Sequence, residues 1–233
     1  MRVLAGTSGY SYAEWKGSFY PEDLPAAEML RYYAGKLPAV EINNTFYRMP
    51  KAEMLSRWAE TVPDGFVFAL KASQQITHRK RLKDASDSTA YFFQTATTLG
   101  DRLGPVLFQL PPNFKKDLPR LTEFLALLPP ASRSTFEFRH VSWFDEDVFA
   151  ALSGRGAALC IAEDEELATP LVATTGWGYL RLRRQDYGEQ DLRAWSEKLR
   201  SQSWEETYVF FKHEEGGRGP ALARELTQIL ASG

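Results

Sequence analysis

Two carboxylates interrupt otherwise apolar runs in this chain, in Val40-Glu41-Ile42-Asn43 and in Phe136-Glu137-Phe138-Arg139. In an extended strand successive side chains point to opposite faces. Glu41 and Asn43 therefore oppose Val40 and Ile42, and Glu137 and Arg139 oppose Phe136 and Phe138. Tyr179, Arg181 and Arg183 likewise oppose Leu180 and Leu182. Lys71 ends a further apolar run, and His140 follows Arg139 directly. Acids and bases gathered in a concave, partly dry site could do general acid–base chemistry of the hydrolase or lyase kind. The surplus of cations favours an anionic ligand, because guanidinium groups offer forked donors to phosphate and carboxylate. On this reading Arg139, Arg181 and Arg183 clamp a small phosphorylated or carboxylated substrate. Glu41 or Glu137 is the general base, and Lys71 or His140 is the acid or electrostatic partner.

Each of these residues also has a plainer account. Glu137 and Arg139 can pair with neighbours inside the protein, since buried charges are normally paired. Lys71 can be a base of depressed pKa or a Schiff-base lysine, but an ion pair to Glu41 or Glu137 is the simpler expectation. His78 opens the run His78-Arg79-Lys80-Arg81-Leu82-Lys83, and such a run usually marks a solvated face. His213 reads as a pocket or a surface residue according to strand register. Tyr10, Tyr12, Trp15, Tyr47 and Trp143 can close over the site as packing or stack on a ligand. No cofactor is expected. A divalent metal held by Glu41, Glu137, Glu163 or Asp164 and His140 is the weaker alternative, with three histidines in the whole chain. Glu41 with Glu137 as a glycosyl-transfer pair is opposed by the neighbouring cations, which would keep both acids ionised. From a different class come a nucleic-acid-binding or repair-like barrel, suggested by the basic run and loop aromatics, and a barrel that binds a ligand without turnover.

The elements that must hold these residues alternate along the chain. Strand-like runs are expected over 3–7, 40–43, 66–71, 106–110, 135–139, 158–162, 179–183 and 208–212. Helical spacing is expected over 27–36, 52–60, 88–99, 118–128, 145–152, 192–199 and 221–230, with an irregular connection after Ala162. Strands alternating with helices imply parallel βαβ units. Eight of them predict an α/β fold, a single-domain TIM (β/α) barrel of parallel strands spanning residues 1–233. Outer strand faces in such a barrel pack on helices and must be apolar, so the polar stripes point inward, toward the C-terminal strand ends where such barrels carry their sites. No Gly-rich nucleotide fingerprint supports an open doubly wound sheet instead.

With 28 Lys and Arg against 30 Asp and Glu in 233 residues, the charge balance argues against broad nucleic-acid coating. The one cysteine, Cys160, lies in an apolar run and reads as core. No apolar stretch approaches membrane-spanning length, and the start of the chain lacks a signal-like segment. A cytoplasmic protein with a small anionic ligand and no membrane contact is the expectation; the sequence assigns no oligomeric state.

The motifs, taken together, resemble the YecE-like family, domain of unknown function 72. They are Gly6-Thr7-Ser8-Gly9-Tyr10 with Trp15, Glu41-Ile42-Asn43 through Thr45-Phe46-Tyr47-Arg48, Lys71 with Ile76-Thr77-His78, Gln109-Leu110-Pro111-Pro112, and Glu137-Phe138-Arg139-His140 with Ser142-Trp143. The resemblance covers nearly the whole chain and implies a TIM barrel, with no established activity. It marks Thr7, Tyr10, Glu41, Asn43, Tyr47, Lys71, His78, Gln109, Glu137, Arg139, His140, Trp143 and Arg181 as the family's characteristic residues. Two stretches depart from the family pattern. Arg181-Leu182-Arg183-Arg184 stands where many members resemble Arg-x-His-Gly, and Phe211-Lys212-His213-Glu214 stands where many carry an Asn pair. Both departures add basic groups at the mouth.

Overall fold

The computed structural model describes residues 1–48 and 50–232. All eight expected strands form, and they close into one parallel barrel in chain order, β1 (Arg2–Ser8) through β8 (Glu206–Phe211), with β8 pairing back onto β1. Between them lie β2 (Ala39–Ile42), β3 (Val67–Lys71), β4 (Leu103–Gln109), β5 (Ser134–Glu137), β6 (Ala158–Glu163) and β7 (Trp177–Leu182). The helices are α1 (Met29–Ala34), the single turn α2 (Asn44–Tyr47), α3 (Ala52–Thr61), α4 (Ser86–Ala96), α5 (Leu118–Leu127), α6 (Glu146–Arg155), α7 (Glu189–Arg200) and α8 (Arg218–Ser232). Among the described residues no helix forms between β6 and β7, where the expected irregular connection folds back through an antiparallel bridge of Glu163 to Ala168.

The side-chain alternation sorts two cores. Outward, Val40, Ile42, Phe68, Leu70, Phe108, Phe136, Leu180 and Leu182 pack beneath the helices. Inward, a smaller cluster fills the barrel with Leu4, Ala39, Ala69, Leu107, Cys160, Tyr179, Tyr208 and Phe210. Small residues on β2 and β3, Ala39 and Ala69, share this cluster with large aromatics on β7 and β8. Cys160 is buried in that inner cluster, as its apolar run predicts. At Gly6 a Cβ would meet the Ala39 carbonyl oxygen at 2.0 Å, so only glycine lets β1 and β2 approach here.

The register stacks the inner faces so that Ser8 and Glu41, then Gln109 and Glu137, stand side by side. Above the apolar layer the lumen therefore turns polar at the C-terminal strand ends. The loop after β3 departs from the expectation of a plain solvated run. One π-helical turn covers Gln75–Arg79, and Arg81, Leu82 and Asp84 then take positive φ (48°, 69° and 49°). Leu82 is buried there, pinning the loop down, while Lys83 stays exposed. No described helix is long and apolar enough to cross a membrane.

Candidate active site

Glu41, at the end of β2, is fully buried and receives four short contacts. The Ser8 hydroxyl donates to its Oε1 at 2.6 Å, and the Tyr179 hydroxyl to its Oε2 at 2.6 Å. Arg181 donates twice to Oε1, from Nε at 3.1 Å and from Nη2 at 2.9 Å. The third guanidinium nitrogen of Arg181, Nη1, reaches across the lumen to Glu137 Oε2 at 2.6 Å. Glu137 Oε1 also accepts from Gln109 Nε2 at 2.9 Å and Arg139 Nη1 at 3.2 Å, with Arg183 Nη2 at 3.4 Å. Arg183 and Arg139 then share Asp164 Oδ2, at 2.8 and 3.1 Å. A continuous charge network thus runs from β2 through β7 and β5 to the loop after β6.

This geometry reassigns two sequence-derived roles. Arg181, expected to clamp an anion, is 2% exposed with its guanidinium spent on two carboxylates. It is a strut across the barrel. Glu41 and Glu137, expected as general bases, are held ionised. Burial is the largest influence and would raise each pKa, but it is outweighed at Glu41 by the Arg181 charge together with hydrogen bonds from Ser8, Tyr179 and Arg181, and at Glu137 by the Arg181 and Arg183 charges together with Gln109 and Arg139. A carboxylate held below its ordinary value binds a proton poorly at neutral pH. The simpler expectation for Lys71, an ion pair to one of these acids, is not met: among the described residues no carboxylate lies within ion-pairing distance, because Arg181 occupies both.

Lys71 Nζ instead lies 4.2 Å from the centroid of the Phe46 ring, beneath α2. The residue is 9% exposed, and among the described residues its nitrogen has no ion-pair partner. Burial and the Arg181 charge push its pKa down to about 8, against the weaker pull of Glu41 and Glu137. His78 also packs edge-on against Phe46, with ring centroids 4.9 Å apart. Its Nδ1 is engaged with the Thr77 hydroxyl at 2.9 Å, and burial and Lys71 lower its pKa.

The remaining expected residues divide. Asn43 extends the inner stripe, its Nδ2 3.5 Å from Glu41 Oε1. Tyr10 lines a small cleft beside Asn43, and Tyr47 stands 73% exposed above the mouth. His140 is tied into its own loop, Nδ1 to the Ser142 hydroxyl at 2.9 Å and to the Ser142 amide at 3.1 Å. Two residues sit outside the lumen. The Thr7 hydroxyl bonds Tyr33 on α1 and the Gly9 carbonyl. Trp143 is fully buried, stacked on Phe138 with its Nε1 donating to the Phe114 carbonyl. Their motif positions reflect packing of the strand-end loops. Sequence reasoning passed over Ser8 and Tyr179 as partners of Glu41 and left Asp164 as a remote metal ligand. The alternation Leu4, Gly6, Ser8 was the available signal for the first. Among the described residues no cluster of His, Cys, Asp and Glu could hold a metal ion.

Beside this network, at the two stretches rich in added cations, a cavity of about 540 Å³ is lined by Asp164, Arg183, Arg184, Lys212, His213 and Arg218, among others. Arg184 pairs with Asp191 at 2.7 Å, and Arg218 with Glu225 at 3.2 Å. Lys212, exposed and two residues on from Phe210 of the inner cluster, has no carboxylate partner among the described residues. His213 settles at the pocket edge, half-buried, its Nε2 bonded to the Arg184 carbonyl at 2.7 Å.

Both acids of the network have lowered pKa values, so each adds stability that is present above the ordinary value of 4.5 and lost as the pH falls below it. We expect the thermal midpoint to fall steeply between about pH 5 and about pH 3, and less so when Glu41, Arg181 and Glu137 are together replaced by Gln, Met and Gln. Parallel acid profiles for the two proteins, followed by circular dichroism, would contradict this.

Comparison with known proteins agrees with the architecture. The family described as "Protein of unknown function DUF72" matches residues 4–233. YecE of Escherichia coli K12 is 35% identical over 116 residues, which is 49% of this chain and only 43% of that relative. YunF of Bacillus subtilis is 22% identical over 91% of this chain and 90% of its own length. The crystal structure of a DUF72 family protein from Thermotoga maritima superposes with a TM-score of 0.83 at 26% identity, covering 99% of this chain and 100% of that one.

Proposed function

We propose, for a chain that belongs to the DUF72 family of proteins of unknown function, an enzyme that acts on a small phosphorylated or carboxylated substrate at the C-terminal mouth of the barrel. The observation that supports this reading most is the distribution of paired and unpaired charge. Four inward cations, Lys71, Arg139, Arg181 and Arg183, meet three carboxylates, Glu41, Glu137 and Asp164. The cation left over is Lys71, and Lys212 beyond β8 is a second without an acid. An anion entering the mouth would meet uncompensated positive charge in a partly desolvated site, where it is worth more than on the surface. Arg139 and Arg183 keep side-chain exposures of 24% and 13% at the mouth. Proton transfer then falls to Lys71, whose pKa burial pushes down to about 8, with His78 beside it.

Inorganic phosphate and malonate should each raise the thermal midpoint saturably, by about 2.7 kcal/mol of stability at about 100 times Kd, and Lys212→Ala should weaken the shift. Because phosphate also stabilises proteins unspecifically, the difference between wild type and variant is the readout. Identical shifts in both proteins would remove the anion site.

One observation favours a second reading. A groove of about 360 Å³ beside the mouth is lined by Arg48, Lys51 and Arg57 with no acid, next to the exposed Tyr47 ring. A basic track with an aromatic platform suits a single-stranded nucleic acid. Strand binding that falls steeply with salt, without any oxyanion shift, would move the assignment there.

A further inference from the structure

We propose that Lys71 is a carbonyl-trapping amine: its Nζ condenses with an aldehyde or ketone group carried by the small anionic substrate, and the enzyme works through the resulting imine. The inference rests on the reading of the mouth as an anion site and names the second group its substrate must carry.

Three features of the geometry converge. Lys71 ends β3 on the inward face, next in register to Leu107 of the inner cluster, so its base is fixed by the barrel and only its tip is free. Every inward arginine around it is neutralised by Glu41, Glu137 or Asp164, whereas among the described residues Nζ has the face of Phe46 and no carboxylate against it. A lysine retained for structure would have been given one of those acids. Finally, the two acids that could otherwise hold Nζ as ammonium are spent on Arg181, so the neutral amine is accessible near neutral pH.

The chemistry balances without any further reagent. The Nζ lone pair attacks the carbonyl carbon, a C–N bond forms, and the C=O π pair moves onto oxygen, which takes up a proton. The nitrogen lone pair of the carbinolamine then expels that oxygen as water. The water carries away both former N–H protons, directly or by exchange with solvent. Protonated, the imine nitrogen draws electrons from the neighbouring carbon, so bonds at that carbon can break heterolytically. This makes the activity lyase-like rather than hydrolytic. Glu41 and Glu137 cannot supply the protons, being held ionised. His78, edge-on to the same Phe46 ring and with its Nδ1 already engaged by Thr77, can carry them.

The test is reductive trapping on the whole chain at neutral pH. The protein is incubated with cyanoborohydride and either pyruvate or glyceraldehyde 3-phosphate, the two arms separating a carboxylate from a phosphate substrate. Peptide mass mapping should find one adduct, at Lys71, heavier by the probe less one oxygen atom. It should be enriched about tenfold or more over any exposed lysine and absent from Lys71→Arg. The enrichment should vanish in the urea-unfolded chain. Label spread over exposed lysines with Lys71 unmodified overturns the inference. If phosphate and malonate still raise the midpoint in that case, the anion site stands and only the imine falls. If they do not, both fall.

Discussion

Replacing Arg181 by Met should destabilise the folded chain by about 3–5 kcal/mol, the cost of leaving buried charge without its partner. Two carboxylates lose their central cation at once, and neither Glu41 nor Glu137 has any exposure through which water could compensate. Ser8, Tyr179, Gln109, Arg139 and Arg183 would still bond them, which keeps the loss from being larger. The companion variant carrying Glu41→Gln, Arg181→Met and Glu137→Gln together should recover most of that stability, because an uncharged, similarly packed centre no longer has ions to desolvate. Urea unfolding of the two proteins measures the non-additivity directly. If the single variant loses less than about 1 kcal/mol, the strut role of Arg181 is wrong.

Lys71→Met should do the opposite to stability while removing function. At pH 7 the wild type holds an ammonium group in a place that burial and Arg181 make unfavourable for it. Since the folded pKa lies near 8 and the ordinary value is 10.5, the unfolded chain binds the proton more tightly. The cost is therefore fully present below about pH 8 and relieved as the pH climbs toward 10.5. Methionine of similar length against Phe46 escapes it. We expect a gain of about 2 kcal/mol at pH 7, or about 4–8 °C in midpoint, shrinking to nothing above the ordinary lysine value. Carbonyl trapping, and any turnover that depends on it, should fall by about three orders of magnitude or more. A residue that costs stability and supplies reactivity is kept for the reactivity. Loss of stability at all pH values would instead make Lys71 a packing residue.

How far the sequence carries this account differs from strand to strand. The barrel is legible because every strand is short, apolar and followed by a turn or helix, and period two alone places Glu41, Glu137 and Arg181 inside. What could not be read was which charges meet. Arg181 and Glu41 are 140 residues apart, and only barrel closure puts them 2.9 Å from one another. Once Arg181 spans both acids, the expected ion pair of Lys71 has no acid left, so one long-range contact changes the roles of Glu41, Glu137, Arg181 and Lys71 together. The packing places of Thr7 and Trp143 are illegible for a related reason. Motif residues near a site include those that pack its loops from outside, and strand-end loops carry no periodicity to tell the two kinds apart.

The central claim is that the network leaves Lys71 as an unpaired, reachable amine. Its most direct measurement is a nuclear magnetic resonance titration of lysine Nζ and Cε signals in the intact chain, with Lys71 assigned from the signal missing in Lys71→Arg. A Lys71 pKa near 8, against ordinary values for the exposed lysines, is the result this account predicts. A Lys71 signal titrating with the rest, near 10.5, would show an amine stabilised as ammonium and would contradict it.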